Sequence, residues 1–123
     1  MAGRYIPARC DIVFVDFEPT KGKEIGKYRP ALVLSSRAYN QATGLLICCP
    51  ISTSIRGAAT EVPVNNLDST SVVAANLIQT LDWRVRKVKK VAEAESGVLE
   101  EVLLRLIPLI GAEPLFNERL SQQ

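Results

Sequence analysis

Residues 10–30, CDIVFVDFEPTKGKEIGKYRP, contain the pattern that decides the fold. Apolar residues in its first half alternate between two faces with a period of two, which predicts a β-strand. One face carries Ile12, Phe14 and Asp16, and the other carries Val13, Val15 and Phe17. A polar loop follows, and an Arg-Pro pair then opens a second apolar run. The stretch therefore predicts two strands joined by a loop that is held against the edge of a sheet.

The loop over residues 18–28 concentrates positive charge around a single central acid. Its basic side chains are Lys21, Lys23 and Lys27, and the acid among them is Glu24. The loop ends at Arg29, whose backbone is restricted to extended conformations because Pro30 follows it. Cationic side chains on a loop that a rigid scaffold positions are a common arrangement for function. We therefore take this loop as a candidate phosphate-binding element.

Short apolar runs continue along the rest of the chain. Further strands are predicted over residues 31–35, 45–51, 61–64, 71–75, 77–81 and 88–94, with 45–51 as the central strand. The pair 71–75 and 77–81 is either two strands or one strand bent near Asn76, and Pro63 indicates an edge position. Residues 36–40 are expected to form a single helical turn or a loop. Six or seven closely spaced strands favour a mainly β barrel over a βαβ arrangement.

The hydrophobic period changes near the C-terminus. From Ser96 onwards apolar residues recur every three or four positions, which predicts a helix with one face on the barrel. Those residues are Leu99, Val102, Leu103, Leu106 and Ile107. Ser96 is the predicted N-cap, acidic residues 100–101 suit the positive helix end, and Pro108 is expected to stop or kink the helix. Residues 1–111 thus form one predicted domain, and residues 112–123 a loosely ordered tail.

Composition restricts the chemistry. A chain of 123 residues with 47% hydrophobic and 23% charged residues is typical of one globular domain, and a net charge of +2 permits nucleic acid without requiring it. No apolar run reaches the roughly 18–20 residues of a membrane span, so we expect a cytoplasmic protein. The chain has no histidine, which excludes His-dependent triads and most zinc hydrolase sites. Cys48 and Cys49 are predicted to fill apolar space, and no metal or other cofactor is expected.

The order of the motifs resembles the MazF/PemK family of toxin endoribonucleases from toxin–antitoxin pairs. The resemblance is carried by DIVFVDFEPTKGKEIGKYRPALVLS from residue 11, YNQATG from residue 39 and CPISTSIRG from residue 49. It extends over residues 4–111. It implies a small SH3-like β-barrel of the CcdB/PemK type with a C-terminal α-helix, acting as a homodimer. It also implies metal-independent, sequence-specific cleavage of single-stranded mRNA to 2′,3′-cyclic phosphate and 5′-hydroxyl ends, which would inhibit translation and growth. The implied partner is a MazE-like antitoxin with an acidic, disordered tail.

Glu24 and Arg29 match the acid of the family's G-x-E motif and the arginine of its R-P motif. In an arbitrary loop both side chains would simply be solvated, so the resemblance is what makes them the candidate catalytic pair. RNA cleavage without metal needs a base for the 2′-hydroxyl, stabilisation of phosphorane charge and a proton for the leaving 5′-oxygen. Glu24 would supply the first and the planar guanidinium of Arg29 the second. Either Arg29 or a water molecule would supply the third.

Further candidates surround this pair in the sequence. Ser52 and Thr53 offer hydroxyl groups to a phosphate, although an ST-turn at the strand end explains them equally well. The candidate RNA-binding residues are Lys21, Lys23, Lys27, Arg56, Asn76, Gln79, Arg84 and Arg86. The last two belong to the basic run at 84–90, which either follows an RNA backbone or is the solvated face of a strand. Three positions depart from the family pattern: Cys10 replaces glycine, Ser52 replaces threonine and Asn76 replaces aspartate.

Two other functions remain open at this point. Relatives of this barrel include CcdB, which poisons DNA gyrase by binding and would need neither Glu24 nor Arg29. A catalytically silent nucleic-acid-binding barrel is the other possibility. The G-x-E…R-P loop together with the hydroxyl segment favours the nuclease.

Overall fold

The computed structural model describes residues 4–116, and these form a mainly antiparallel β structure with helices α1 and α2 and a short helical segment at 113–116. The strands are β1 (Asp11–Asp16), β2 (Tyr28–Val33), β3 (Leu45–Ser52), β4 (Glu61–Val64), β5 (Ser71–Ala74), β6 (Gln79–Asp82) and β7 (Lys89–Glu93). Helix α1 (Arg37–Thr43) connects β2 to β3, a 3-10 turn (Ala75–Leu77) separates β5 from β6, and α2 (Val98–Leu109) follows β7. The prediction of a mainly β fold with a C-terminal helix is confirmed.

Strand β3 is the centre of the sheet, whose order is β4-β5-β3-β2-β1-β7. One edge of β3 pairs with β2, whereas its other edge is shared between β6 along its first half and β5 at its end. Residues 71–82 are therefore two strands separated by the 3-10 turn, which places Asn76 beside the end of β3. The structure also confirms the edge position of Pro63, because β4 pairs with β5 alone among the described strands.

Both faces of the central strands are covered, so apolar side chains divide into two clusters. The helix-side cluster contains Ile12, Leu32, Leu34, Cys49, Ile51, Val62, Val64, Val73, Ala75, Val98, Val102 and Leu106. The tryptophan-side cluster contains Val13, Val15, Phe17, Ala31, Val33, Leu46, Cys48, Leu81 and Trp83. Because the side chains of consecutive strand residues point to opposite faces of the sheet, Cys48 and Cys49 belong to different clusters. Their predicted role as small apolar filling is consistent with their complete burial.

Helix α2 differs from its prediction in two details. Its N-cap is Gly97 rather than Ser96, because Gly97 adopts a left-handed φ of 92° and the helix begins only at Val98. Its buried positions are Val98, Val102 and Leu106, a stripe with a spacing of four residues. Leu103 falls outside that stripe and is 41% exposed, so its predicted packing on the sheet is wrong. Pro108 lies in the last turn, and the helix ends one residue later, as expected of proline.

Helix α1 is longer than the single turn predicted for residues 36–40. Ser36 caps it, since its hydroxyl accepts the Tyr39 N–H at 3.2 Å, and Gly44 ends it with a φ of 72°. Asn40 in this helix is completely buried, and its side-chain amide donates to the Pro7 carbonyl at 2.8 Å. The Trp83 indole N–H donates to the Asn40 carbonyl at 2.9 Å. A buried asparagine thus ties α1 to two distant parts of the chain.

The remaining differences concern the C-terminal half. The basic run begins in a turn rather than a strand, and only its last two residues enter β7. Residues 113–116 of the predicted tail are helical, whereas its residues 117–123 lie outside the described part of the chain. Neither α1 nor α2 has the length and apolar character that a membrane crossing requires.

Candidate active site

A groove of about 380 Å³ opens where the 18–27 loop meets the end of β3 and the β4–β5 hairpin. The polar residues on which the site depends are Lys23, Glu24, Arg29, Ser52, Arg56 and Asn76. They come from four separate segments, so the groove exists only because the sheet brings these segments together. Glu61 also lines the groove, so three of its charged side chains are cationic and two are acidic, and this excess of positive charge makes the groove suitable for an anionic ligand.

Arg29 reaches the groove from β2, where it lies opposite Val15 of β1. Its guanidinium Nε donates to the Gly26 carbonyl at 2.7 Å, which links the strand to the loop. Its two terminal nitrogens have no hydrogen-bond partner within residues 4–116. A planar fork fixed at one nitrogen and open at the other two is suited to binding two oxygens of a phosphate.

Glu24 sits in a tight turn of the loop. Its Oε1 accepts the Lys21 N–H at 2.7 Å, and its own N–H donates to the Lys21 carbonyl at 3.1 Å. Gly22 in this turn adopts a left-handed φ of 57°. The Glu24 side chain is exposed, and one of its two oxygens is engaged by the loop. The other oxygen can therefore accept a proton without disrupting the turn.

The base of the loop is closed by a second carboxylate. Glu18 Oε1 accepts the Lys27 N–H at 2.8 Å, and the Phe17 N–H donates to the Lys27 carbonyl at 3.0 Å. A Cβ on Gly26 would approach Glu18 Oε1 to 2.3 Å, so this position has no room for a larger residue without a shift of Glu18. The two ends of the loop are thereby joined before β2 begins.

The opposite wall depends on Glu61, which the sequence analysis missed. Its Oε1 accepts the backbone N–H groups of Arg56, Gly57 and Ala58 at 3.2, 2.9 and 3.2 Å. The only sequence signal is an acid four residues after a glycine in a polar turn. The Ser52 hydroxyl accepts the Ser54 N–H at 3.0 Å, which is the ST-turn considered above. Its hydroxyl hydrogen remains available to a ligand.

Comparison with known proteins gives consistent results. Residues 8–110 match the family described as PemK-like, MazF-like toxin of type II toxin–antitoxin system. The chain is 35% identical over 111 residues to the endoribonuclease toxin MazF of Escherichia coli K12, covering 90% of this chain and all of that relative.

The chain belongs to the MazF/PemK toxin family.

Solved structures of MazF/PemK toxins have the same fold. The crystal structure of MazF from Deinococcus radiodurans superposes with a TM-score of 0.84 at 41% identity, covering 88% of this chain and 99% of that one. A MazE-MazF complex from the same organism matches with a TM-score of 0.78 at 41% identity, covering 88% of this chain and 98% of that chain. The resemblance inferred from the motifs is therefore confirmed, as is the SH3-like description of the barrel.

The structure separates the predicted site residues into two groups. Glu24, Arg29, Ser52, Lys23, Arg56 and Asn76 line the groove, whereas Thr53, Lys21, Lys27, Gln79, Arg84 and Arg86 are not among its lining residues. Gln79 lies in β6, where its amide donates to the Leu77 carbonyl at 3.4 Å. Arg84 instead pairs with Asp82 at 3.3 Å, and this hydrogen bond lowers the pKa of the Asp82 carboxyl. Roles in RNA binding for this second group stay predictions.

Two departures from the MazF/PemK pattern have a structural context. Asn76 is exposed in the 3-10 turn and lines the groove, so an amide occupies the place where relatives are expected to carry an acid. Cys10 has a φ of 77°, a conformation that glycine adopts without strain and other residues rarely do. Within residues 4–116 no group of three or more His, Cys, Asp or Glu side chains is arranged to hold a metal ion.

Proposed function

We propose that this protein is the toxin of a type II toxin–antitoxin pair and an endoribonuclease that cleaves single-stranded mRNA in a sequence-specific manner. The observation that carries the proposal is the convergence of Glu24 and Arg29 in one groove of a chain without histidine. The endoribonuclease activity named for MazF of E. coli supports it.

In the proposed mechanism Glu24 removes the proton from the attacking 2′-hydroxyl. The phosphorane that forms carries extra negative charge on its oxygens, and the two terminal nitrogens of Arg29 stabilise it. The Ser52 hydroxyl and Arg56 hold the neighbouring phosphate oxygens, and Asn76 contributes an uncharged donor. The bond from phosphorus to the 5′-oxygen then breaks as that oxygen takes a proton from Arg29 or from a water molecule, which leaves a 2′,3′-cyclic phosphate and a 5′-hydroxyl. Thr53, which is exposed next to Ser52, is assigned a contact with the incoming strand rather than with the groove itself.

The same groove suggests how the toxin is controlled. We propose a cognate MazE-like antitoxin whose acidic, initially disordered tail occupies the cationic groove and folds as it binds. The MazE-MazF complex of D. radiodurans supports an antitoxin partner of this kind.

We also propose that the active unit is a homodimer. Light scattering of the purified protein would measure its oligomeric state directly.

The test of the catalytic proposal compares paired variants on an unstructured RNA in the presence of EDTA. Glu24→Gln and Arg29→Met are each expected to reduce the cleavage rate by about a hundredfold or more, because one removes the base and the other the charge stabilisation. Glu24→Gln keeps the acceptor for the Lys21 N–H and should leave the thermal unfolding midpoint unchanged, whereas Arg29→Met loses one hydrogen bond, to the Gly26 carbonyl, and should lower it only slightly. Glu113→Gln and Arg37→Met, both exposed and outside the groove, are the matched controls and should retain wild-type activity.

Four outcomes would contradict the proposal. Cleavage that requires a divalent metal would contradict the proposed mechanism. Full activity in both groove variants would contradict the proposed site. Growth arrest by Glu24→Gln without RNA cleavage would indicate a protein-binding poison of the CcdB kind. Binding of RNA without any product would indicate the silent barrel. Sequencing the 5′-hydroxyl ends from a long RNA would identify the recognised sequence.

A further inference from the structure

The turn between β6 and β7 contacts the start of the 18–27 loop through Arg86. Its guanidinium Nη1 donates to two backbone carbonyls, those of Asp16 and Glu18, at 3.0 Å each. The Arg86 carbonyl in turn accepts the Asp16 N–H at 2.9 Å. Three hydrogen bonds therefore join Arg86 to the last residue of β1 and the first residue of the loop, across about 70 positions of sequence.

The same turn also contacts the end of the loop. The Tyr28 hydroxyl donates to the Lys87 carbonyl at 3.0 Å. The Tyr28 ring stacks on Phe14 with a centroid separation of 5.2 Å, which fixes the direction of the hydroxyl. Lys87 itself has a φ of 55°, so its carbonyl is presented from a tight, left-handed turn. Consecutive residues 86 and 87 thus hold the two ends of one loop.

We propose that Arg86 and Tyr28 form a clamp that positions the catalytic loop, and that Arg86 acts as a positioning residue. The inference rests on the proposed function, since it assigns the clamp to the loop that carries Glu24. No residue of the 18–27 loop belongs to either apolar cluster, so hydrogen bonds within the loop and at its two ends hold its conformation. Without Arg86 the loop would keep its closure by Glu18 and Lys27, but the direction in which it leaves β1, and with it the position of Glu24, would be less restricted.

An alternative role for Arg86 is the direct contact with RNA that its charge suggests. The two roles predict different kinetics, because a phosphate contact contributes to binding in the ground state whereas a positioning contact contributes to the chemical step. They also differ in salt dependence: each lost phosphate contact reduces the slope of log affinity against log salt by about 0.7 for single strands. A positioning residue leaves that slope unchanged.

The experiment compares Arg86→Met with Arg9→Met in the full-length protein. Arg9 is a matched control, since its Nε also donates to a distant backbone carbonyl, Leu34 at 2.7 Å, and its loss removes the same charge. Arg86→Met is expected to lower kcat about tenfold to a hundredfold, as for a small misplacement of a catalytic group. The KM and salt slope of Arg86→Met should stay close to wild type. Arg9→Met should leave kcat, KM and the salt slope unchanged.

A second measurement does not depend on RNA. Lys21, Lys23 and Lys27 are exposed, and trypsin should cut at them faster the more often the loop opens, because a protease binds its substrate as an extended segment; mass spectrometry assigns each cut. Arg86→Met should accelerate these cuts, and Arg9→Met should not. Tyr28→Phe, which removes only the hydroxyl from the other end of the loop, should act in the same direction as Arg86→Met. Arg86→Lys keeps the positive charge but lacks the planar guanidinium group. Its activity should lie between that of Arg86→Met and that of the wild type.

The outcomes separate this inference from the proposed function. If the wild-type protein cuts no RNA but Arg86→Met still opens the loop, the nuclease proposal fails and the clamp stands. A raised KM with a reduced salt slope and unchanged tryptic cutting would overturn the clamp in favour of an RNA contact. If Arg86→Met does not fold, Tyr28→Phe decides, and unchanged kcat and proteolysis in that variant also overturn the clamp.

Discussion

The middle of β3 and its C-terminal end are only a few residues apart, yet different contacts hold them in place. Cys48 and Cys49 are completely buried and pack on opposite faces of the sheet among apolar side chains. Ser52 enters a groove whose wall is held by the Glu61 carboxylate on backbone N–H groups. The interior is stabilised by burial and the groove by charged side chains that bind the main chain. Stability and site geometry should therefore be changeable independently.

The largest expected effect is in the interior. Leu32 is completely buried in the helix-side cluster, and Leu32→Ala should lower the free energy of unfolding by about 2–5 kcal/mol because it leaves a cavity. Leu115→Ala makes the same change at a residue that is 59% exposed, and should cost less than about 0.5 kcal/mol. Urea titration measures both. Equal losses in the two variants would mean that burial does not distinguish these regions.

A smaller effect is expected in the groove wall. Glu61→Ala removes the acceptor of three backbone N–H groups and should cost about 1–2 kcal/mol, since hydrogen bonds to charged groups are the stronger ones and this site is partly exposed to solvent. Hydrogen exchange should accelerate at residues 56–58 while the strands stay protected. Glu113→Ala, at an exposed position of the C-terminal segment, is the control. Unchanged exchange at 56–58 would show that the carboxylate does not hold this wall.

The same contrast explains what the sequence could predict of the fold. Strands β1 and β3 were predicted because a two-residue period and continuous apolar runs depend on local spacing. Asn40 was missed because its partners lie 33 and 43 positions away. The predictions that α2 is capped by Ser96 and that Leu103 packs on the sheet were wrong. The helix packs through a narrow stripe of residues, and which residues form that stripe depends on the sheet beneath it.

The candidate site was predictable only in part, for a similar reason. Glu24 and Arg29 were selected by resemblance to a family, since their residue types alone would be ordinary in a solvated loop. The contacts of Glu61 and Arg86 are to backbone atoms, and a sequence gives no pattern for a partner that every residue has. The basic run at 84–90 appeared uniform in sequence. The structure distinguishes Arg84, which pairs with Asp82, from Arg86, which binds the start of the loop.

The smallest expected effect concerns the three thiols. Their rates of chemical labelling report how far solvent and reagents reach the interior of the folded protein. Burial raises the pKa of the Cys48 thiol and raises the pKa of the Cys49 thiol to about 12. Cys10 is less buried than either of them. Because the thiolate is the reactive form, a maleimide or disulfide reagent at pH 8 should label only Cys10 in the native protein, and slowly. All three thiols should react in urea, and Cys10→Ser should abolish native labelling. Native labelling of Cys10→Ser at the wild-type rate would show that the interior opens to solvent.

The raised thiol pKa values also determine the sign of a pH effect. Unfolded cysteines lose their protons near pH 8.5, whereas the buried thiols of the folded protein keep theirs. The unfolded state therefore binds fewer protons above that pH, and the free energy of unfolding should fall as the pH rises from about 8.5 toward 12. Cys49→Ala should make that decline shallower because it removes one of the groups whose pKa is raised in the folded protein, while Tyr5, Cys10 and Cys48 remain. An unchanged decline would mean that other groups determine the alkaline stability, and that the interior thiols do not contribute to it.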